Sequence, residues 1–229
     1  MKKLIRYILK NKFIAKRLEK IVLNLHTKTY LLSGVLAGSL NDGVHPKHRI
    51  MKYKEWFVDN IEKSWVVLDV GCNTGMMPEV MSKKASFIYG IEIEQKHIDI
   101  AKKNAQQQNI EFICADATTY DYTPLKEIDC ITLSNVLEHI EQRVLFLQKL
   151  ISQVKWKDKK RFLIRVPMID REWIAVYKKE LGLEYRLDRT HFTEYTFEQF
   201  ESELNEANIN IVNYHIRWGE IYAICEAIT

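Results

Sequence analysis

The chain has 229 residues, 47% apolar and 28% charged, enough for one domain with an appendage and too few for two ordinary domains. Fractions this close to the globular average exclude disordered, collagen-like and fibrous classes. The net charge of +4 averages two unlike parts: residues 1–60 carry 13 Lys or Arg against four acids, and residues 61–229 carry 21 basic and 26 acidic side chains.

The first residues, MKKLIRYILK, start like a signal peptide, but Lys and Arg interrupt any apolar region and no cleavage-like segment follows. No apolar run reaches the ~18 residues that a spanning helix needs; Tyr30 to Leu40 is the longest and holds Ser33, Gly34, Gly38 and Ser39. Leu4, Ile8, Leu18, Ile21 and Leu25 recur at helical spacing among basic residues, which predicts one or two basic amphipathic helices over 4–25. A weaker segment with Gly34, Gly38 and Gly43 follows. A helix is then expected to start near Pro46 and run through Trp56, Phe57 and Ile61, because proline disfavours a helix through the residue before it.

From Trp65 short apolar runs alternate with amphipathic stretches. Strands are predicted at about 65–70, 86–91, 110–114, 128–133 and 160–166, with helices at about 75–84, 95–107 and 141–154. That alternation indicates βαβ units and a parallel sheet with helices on both faces. TFEQ, Thr196 to Gln199, has the form of a capping box. The runs 209–216 and 220–228, joined around Trp218 and Gly219, are too closely linked for anything but an antiparallel hairpin. The expected organisation is a basic helical extension over 1–60 and an α/β domain over 61–229, with a lid-like insertion at about 167–195. Cys72, Cys114, Cys130 and Cys225 are too scattered for a disulfide framework or a CxxC metal site. A reducing, cytoplasmic setting and no bound metal are therefore expected.

The strongest local signal is VVLDVGCNTG, Val66 to Gly75: a buried strand, a loop with Gly71 and Gly75, then a helix. It lacks the GxxxxGK[ST] string of a phosphate-cradling loop, and Asn73 stands where a dinucleotide fingerprint has its second glycine. Glu92 ends the second strand, in YGIEIE; CADAT, with Asp116 and Ala117, follows the third; and IDCITLSNVLEHI, Ile128 to Ile140, contains the fourth. In these four motifs the chain resembles the class I S-adenosylmethionine-dependent methyltransferases, departing from their glycine-rich loop at Asn73.

The resemblance implies a Rossmann-like, seven-stranded, mostly parallel sheet with an antiparallel C-terminal hairpin, and S-adenosylmethionine as cofactor with S-adenosylhomocysteine as product. Carried over residue by residue, it assigns Asp69 and the Gly71, Cys72, Asn73 and Gly75 loop to the amino-acid end of the cofactor. Glu92 falls to the ribose, Asp116 to the adenine amino group with Ala117 and Ile93 as apolar walls, and Asn135 and Val136 to the methyl group. Each residue also has a plainer reading. Asp69 can cap the following helix, Asp116 can be a turn residue, and Cys72 can fill space in the loop.

A hydroxyl acceptor needs a base, whereas an amine needs only to arrive unprotonated. His139 in LEHI, His191 in DRTHFTEY and Arg165 are the candidates for handling the acceptor, with His45 and His48 beside Pro46 as further histidines. The stretch Arg165 to Thr196 is too long for a plain connection, and its Arg171, Trp173, Tyr177, Arg186 and Tyr195 suit a polar ring or an anion. With HPKHR it resembles uncharacterised bacterial methyltransferases of small molecules and surface polysaccharides. A small polar acceptor, such as a sugar or glycan precursor, is the leading expectation. RNA or protein methylation through the basic front ranks lower, because aromatic stacking residues do not alternate with the basic ones. A non-catalytic scaffold docking on a partner, or on an anionic membrane through residues 1–25, is the third reading. NAD-dependent redox chemistry is the outsider, weakened at Asn73.

Overall fold

The computed structural model describes residues 10–228. The signal-peptide-like start and the apolar positions Leu4 and Ile8 lie outside the described residues. The chain divides into two compact units: the described part of Met1–Lys52 with Ile174–Tyr185, and Tyr53–Trp173 with the described part of Arg186–Thr229.

In the first unit, Asn11 caps α1 (Lys12–Ser39), its Oδ1 accepting from the backbone N–H groups of Phe13 and Ile14. The helix continues through Gly34 and Gly38, well beyond the predicted end at 25. Each glycine costs only about 1 kcal/mol relative to alanine, and the leucines, alanine and valine around them extend the helix. It ends where the Gly43 N–H reaches back to the Gly38 carbonyl. Only Leu23 of α1 is buried, and Phe13, Ile21, Val22 and Val35 are each more than 60% exposed. After Pro46 comes α2 (Lys47–Met51). Lys52, with φ of 53°, breaks the single helix expected here and ends this stretch of the first unit; α3 (Tyr53–Asp59) opens the second unit.

The second unit is built on β1 (Val66–Val70), α4 (Met76–Met81), β2 (Phe87–Glu92), α5 (Gln95–Asn104), β3 (Ile110–Cys114) and β4 (Ile128–Ser134). Next come α6 (Arg143–Gln153) and β5 (Trp156–Pro167); after α7 (Trp173–Glu180), whose residues from Ile174 on belong to the first unit, the second unit resumes with α8 (Phe197–Glu206), β6 (Ile209–Arg217) and β7 (Glu220–Ala227). Strand order is β3-β2-β1-β4-β5-β7-β6, with β7 antiparallel to both neighbours and the remaining pairs parallel. The fold is the expected Rossmann-like sheet flanked by helices. β1, β2 and β4 are buried almost throughout, which is why their sequences read as continuous apolar runs rather than alternation.

β5 starts at Trp156, four residues before its predicted start, because Trp156 pairs with Ile128. Its charged positions are held from β7 instead, Lys159 and Arg161 both reaching Glu226. Thr196 caps α8 as its capping box predicts, accepting from the Gln199 N–H. The Gln199 side chain turns instead to Thr193 and Glu203.

The segment predicted as a lid-like insertion has its two ends held together. Ile169 N–H donates to the Tyr195 carbonyl at 2.9 Å, and Tyr195 N–H to that of Pro167 at 3.0 Å. Within the first unit, the Tyr177 hydroxyl of α7 donates to Glu19 of α1 at 2.7 Å, and Lys178 donates to Thr27 Oγ1 at 2.8 Å. All four cysteines are free thiols. Among the described residues no helix is long and apolar enough to cross a membrane.

Candidate active site

Open α/β sheets bind ligands at the carboxyl ends of their strands, where the strand order reverses. Here that point lies between β1, whose neighbours are β2 and β4, and the loops that leave these strands. A cavity of about 1070 Å³ opens there. Gly71, Asn73, Glu92, Ile93, Asp116 and Ala117 line it, and Asn135, Val136 and His139 complete the set of predicted residues at its wall. Asp69, Cys72, Gly75, Arg165 and His191 do not line it.

The loop after β1 is fixed by its own backbone. The N–H groups of Gly71 and Cys72 both donate to the Ile91 carbonyl, at 2.8 and 3.0 Å. Gly71 has φ of +72°, and a Cβ there would stand 2.7 Å from Val136 Cγ2. Gly75 has φ of +82°, and its Cβ would meet Ala101 Cβ at 2.9 Å and the Phe112 ring at 3.0 Å. Gly71 thus lets the loop approach the wall of the cavity, while Gly75 lets it pack on α5 and β3. Asn73 takes φ of 48°, a conformation that asparagine tolerates better than most residues.

Three carboxylates sit around this loop, each in a different state. Glu92 accepts from Asn73 N–H on one oxygen and from Glu94 N–H on the other, both at 3.0 Å, so it ties the ends of β1 and β2 together. Asp116 closes a local turn, its Oδ1 accepting from the Thr118 N–H and hydroxyl. Among the described residues the hydrogen bonds it accepts all end on Oδ1, which leaves Oδ2 able to accept. Asp69 is 2% exposed and accepts from the Thr132 hydroxyl at 2.5 Å. Burial pushes its carboxyl up to about 7 against the opposing pull of that hydrogen bond. No side chain caps α4, so Asp69 is a buried support beneath the loop rather than a helix cap. Cys72 is buried, and its thiol is raised far above the usual range by burial and by Asp69 and Glu92; a space-filling role accounts for it.

The other end of the cavity is formed by the turn after β4. Asn135, at φ of 56°, donates its N–H to the Arg165 carbonyl, and its buried Oδ1 has no partner among the described residues. The 3₁₀ turn Leu137–His139 places His139 at the cavity wall. His139 Nδ1 lies 2.9 Å from the Thr190 hydroxyl, and its ring meets that of His191 edge-on at a centroid distance of 4.6 Å. Burial, and then His191, hold the His139 imidazole below its usual range. His191 is buried, with Nδ1 3.3 Å from Glu194. The sequence thus places His139 and His191 some 50 residues apart, and the fold makes them neighbours. Arg165 is committed elsewhere: it grips Glu220 bidentately at 2.6 and 2.7 Å, donates to Ser134 Oγ and lies over the Tyr53 ring.

Glu138, Thr190 and Phe192 are the residues that sequence reasoning passed over. Glu138 is completely buried, and among the described residues neither carboxylate oxygen has a partner. Burial pushes its carboxyl up to about 8. An acid beside His139 in LEHI was the available signal. Thr190 and Phe192 reach the cavity through tertiary contact, the Phe192 N–H donating to the Glu138 carbonyl at 2.7 Å.

Residues 68–155 match a family model described as a methyltransferase domain. Among curated relatives, the ubiquinone biosynthesis O-methyltransferase of Coxiella burnetii (strain Dugway 5J108-111) is 30% identical over 121 residues, 52% of this chain and 50% of that protein. The protein of the same name from Bradyrhizobium diazoefficiens is 26% identical over 121 residues, 53% of this chain and 46% of the relative. The chain therefore spans about half the length of the curated relatives it matches. Among solved structures, magnesium protoporphyrin IX methyltransferase from Synechocystis PCC 6803 with bound S-adenosylhomocysteine aligns with a TM-score of 0.60 at 17% identity, over 80% of this chain and 83% of that one. A SAM-dependent methyltransferase from Aquifex aeolicus aligns at 0.55 and 15% identity, over 79% and 89%. At these identities the structural likeness speaks for the fold alone.

Proposed function

We propose that this chain, whose residues 68–155 match a methyltransferase-domain family, is a class I S-adenosylmethionine-dependent methyltransferase that transfers a methyl group from that cofactor to a hydroxyl of a small polar acceptor, a sugar or glycan precursor being one such class. The observation that carries the reading is the cavity at the β1/β4 switch point, lined by the residues that follow β1, β2, β3 and β4 in turn. Its volume of about 1070 Å³ exceeds the ~300–1,000 Å³ that one drug-sized ligand occupies, so cofactor and acceptor have room side by side. The O-methyltransferase names of the curated relatives favour oxygen as the atom methylated.

The residues present fit the cofactor. It has an ammonium, a carboxylate, a ribose and an adenine but no phosphate, and the cavity wall offers the acceptors Glu92, Asp116 and Asn135 beside the backbone of the loop after β1, with Lys96 and Lys149 also at the wall. Glu92 keeps lone pairs beyond the two hydrogen bonds it accepts, which suits a ribose diol. Asp116 Oδ2 suits an amino group beside the apolar Ala117 and Ile93. The unpartnered Asn135 Oδ1 marks where a polar ligand atom belongs. When bound, the cofactor supplies a methyl group on a positively charged sulfur, already a good leaving group. The protein's task is then to hold donor and acceptor in line and exclude water.

Calorimetric titration with S-adenosylhomocysteine tests the first half of this reading. The parent chain is expected to bind it, and Glu92→Ala to weaken binding at least ~10-fold through loss of a charge-assisted hydrogen bond. A folded parent chain with no detectable binding overturns the proposal.

A further inference from the structure

Glu138 presents an unusual combination: a carboxylate with no exposed surface and, among the described residues, no hydrogen-bond partner on either oxygen, next to two imidazoles. Such a group is costly to bury, so native structures that retain one normally supply its counterpart. Among the described residues no cation is bonded to it. Arg165, the nearest in charge terms, is spent on Glu220 and Ser134.

We infer that Glu138, His139 and His191 form a binding site for one divalent transition-metal ion at the acceptor end of the cavity. One carboxylate oxygen and one nitrogen from each ring lie within 4.8 Å of one another, so an ion at ordinary ligand distances of about 2.0–2.2 Å draws them together by only a small adjustment. Two imidazoles and one carboxylate are the donor set of borderline ions such as Zn²⁺, Fe²⁺ or Mn²⁺, and less suited to Mg²⁺ or Ca²⁺, which prefer all-oxygen sites.

The surroundings are those of a supported site. Each ring has one nitrogen next to a neighbour, Thr190 Oγ1 for His139 and Glu194 Oε1 for His191. Partners of this kind fix the tautomer and leave the second nitrogen to ligate. Glu194 is itself fully buried and held by Arg171 and the Leu187 N–H. The hydrogen bond from Phe192 N–H to the Glu138 carbonyl keeps the two ligand-bearing segments together.

Three protein ligands leave coordination positions open, and His139 lies at the cavity wall. An acceptor oxygen bound in an open position gives up its proton to solvent more readily and is held at a fixed place. This part of the inference rests on the methyl-transfer reading and narrows its acceptor to molecules that present an oxygen donor to a metal; the ion site itself does not depend on it. It also replaces the expectation of no metal, and it makes the two histidines ligands instead of free bases.

The test is titration of the chelator-treated full chain with Co²⁺ alone, followed by its visible absorption, alongside a separate titration with S-adenosylhomocysteine. One equivalent is expected to bind. Glu138→Gln and His191→Ala are each expected to abolish the stoichiometric Co²⁺ spectrum and leave S-adenosylhomocysteine affinity within about twofold of the parent. X-ray absorption of the Co²⁺-loaded parent is expected to show two imidazole ligands, and it decides the matter if either variant fails to fold. Absence of Co²⁺ uptake by the folded parent, uptake that survives both substitutions, or fewer than two imidazoles overturns the inference. S-adenosylhomocysteine binding without Co²⁺ binding defeats the metal site and leaves the methyl-transfer reading standing; Co²⁺ binding without S-adenosylhomocysteine binding does the reverse.

Discussion

The two ends of the cavity handle buried charge in opposite ways. At the β1–β2 end, Glu92 has both carboxylate oxygens committed to backbone N–H groups, and Asp116 has one committed to a turn. At the β4 end, Glu138 has both oxygens buried and neither committed. A carboxylate already satisfied by its own backbone rigidifies the loops it joins, and still accepts from a ligand with its remaining lone pairs. One that is sealed off and unpaired holds its proton, at a cost to its ionised form, until something positively charged arrives. The first end is organised before a ligand binds, and the second is completed by one.

Breaking the organised end is expected to give the largest effect. Gly71→Ala puts a Cβ 2.7 Å from Val136 Cγ2 at a residue with φ of +72°. The left-handed backbone costs about 1–2 kcal/mol and the overpacking about 1–3 kcal/mol. Urea unfolding is expected to show a loss of that combined order, with S-adenosylhomocysteine binding abolished in calorimetry. An unchanged midpoint contradicts the account of the loop.

Next is the pH dependence of the buried support beneath that loop. Asp69 titrates at about 7 in the fold, against roughly 3.9 in an unfolded chain. The folded state therefore holds this proton more tightly than the unfolded state. Its stabilising effect is complete below pH ~4 and is lost as pH rises through 7, a few kcal/mol in all. The ligand-free chain is expected to show that part of its stability falling between pH 4 and 8. The slope should flatten in Asp69→Asn, as followed by denaturant midpoints across the range.

The comparison itself is sharpened by applying one substitution at both ends. In the presence of a chelator, Glu92→Met is expected to destabilise the chain by about 1–3 kcal/mol, because it leaves the Asn73 and Glu94 N–H groups without their acceptor. Glu138→Met removes a group that has no partner to strand, and it is expected to leave stability unchanged or raise it by up to about 2 kcal/mol. Equal losses in thermal unfolding at the two positions erase the contrast between them.

The same contrast explains what could be read from the sequence. Glu92 ends a strand, and Gly71, Asn73 and Asp116 lie within three residues of a strand's end, so an apolar run and the residues just after it place them together once the sheet is parallel. Glu138 and His191 meet only because the stretch after β5 returns to the turn after β4, and no spacing announces that. Thr190 and Phe192 are hidden for the same reason. Arg165 was readable as a cation near the site, but its partner Glu220 lies 55 residues on, across an antiparallel pairing. In α1 the misleading signal was local: Gly34 and Gly38 suggested a stop, and the helix carried on because two glycines cost less than ending it there.

The strand order has a consequence for the chain while it is being made. Val67 of β1 pairs on one side with Ile88 and on the other with Cys130, 63 residues later. At the ~5–20 residues per second of protein synthesis, one edge of β1 waits roughly 3–13 seconds for its second neighbour. Through that interval a nascent β3-β2-β1 sheet presents an apolar, hydrogen-bond-hungry border to whatever else is nearby. Slowing translation between the codons for Val70 and Cys130 therefore lengthens exposure of the strand from which the whole ligand cleft is later suspended.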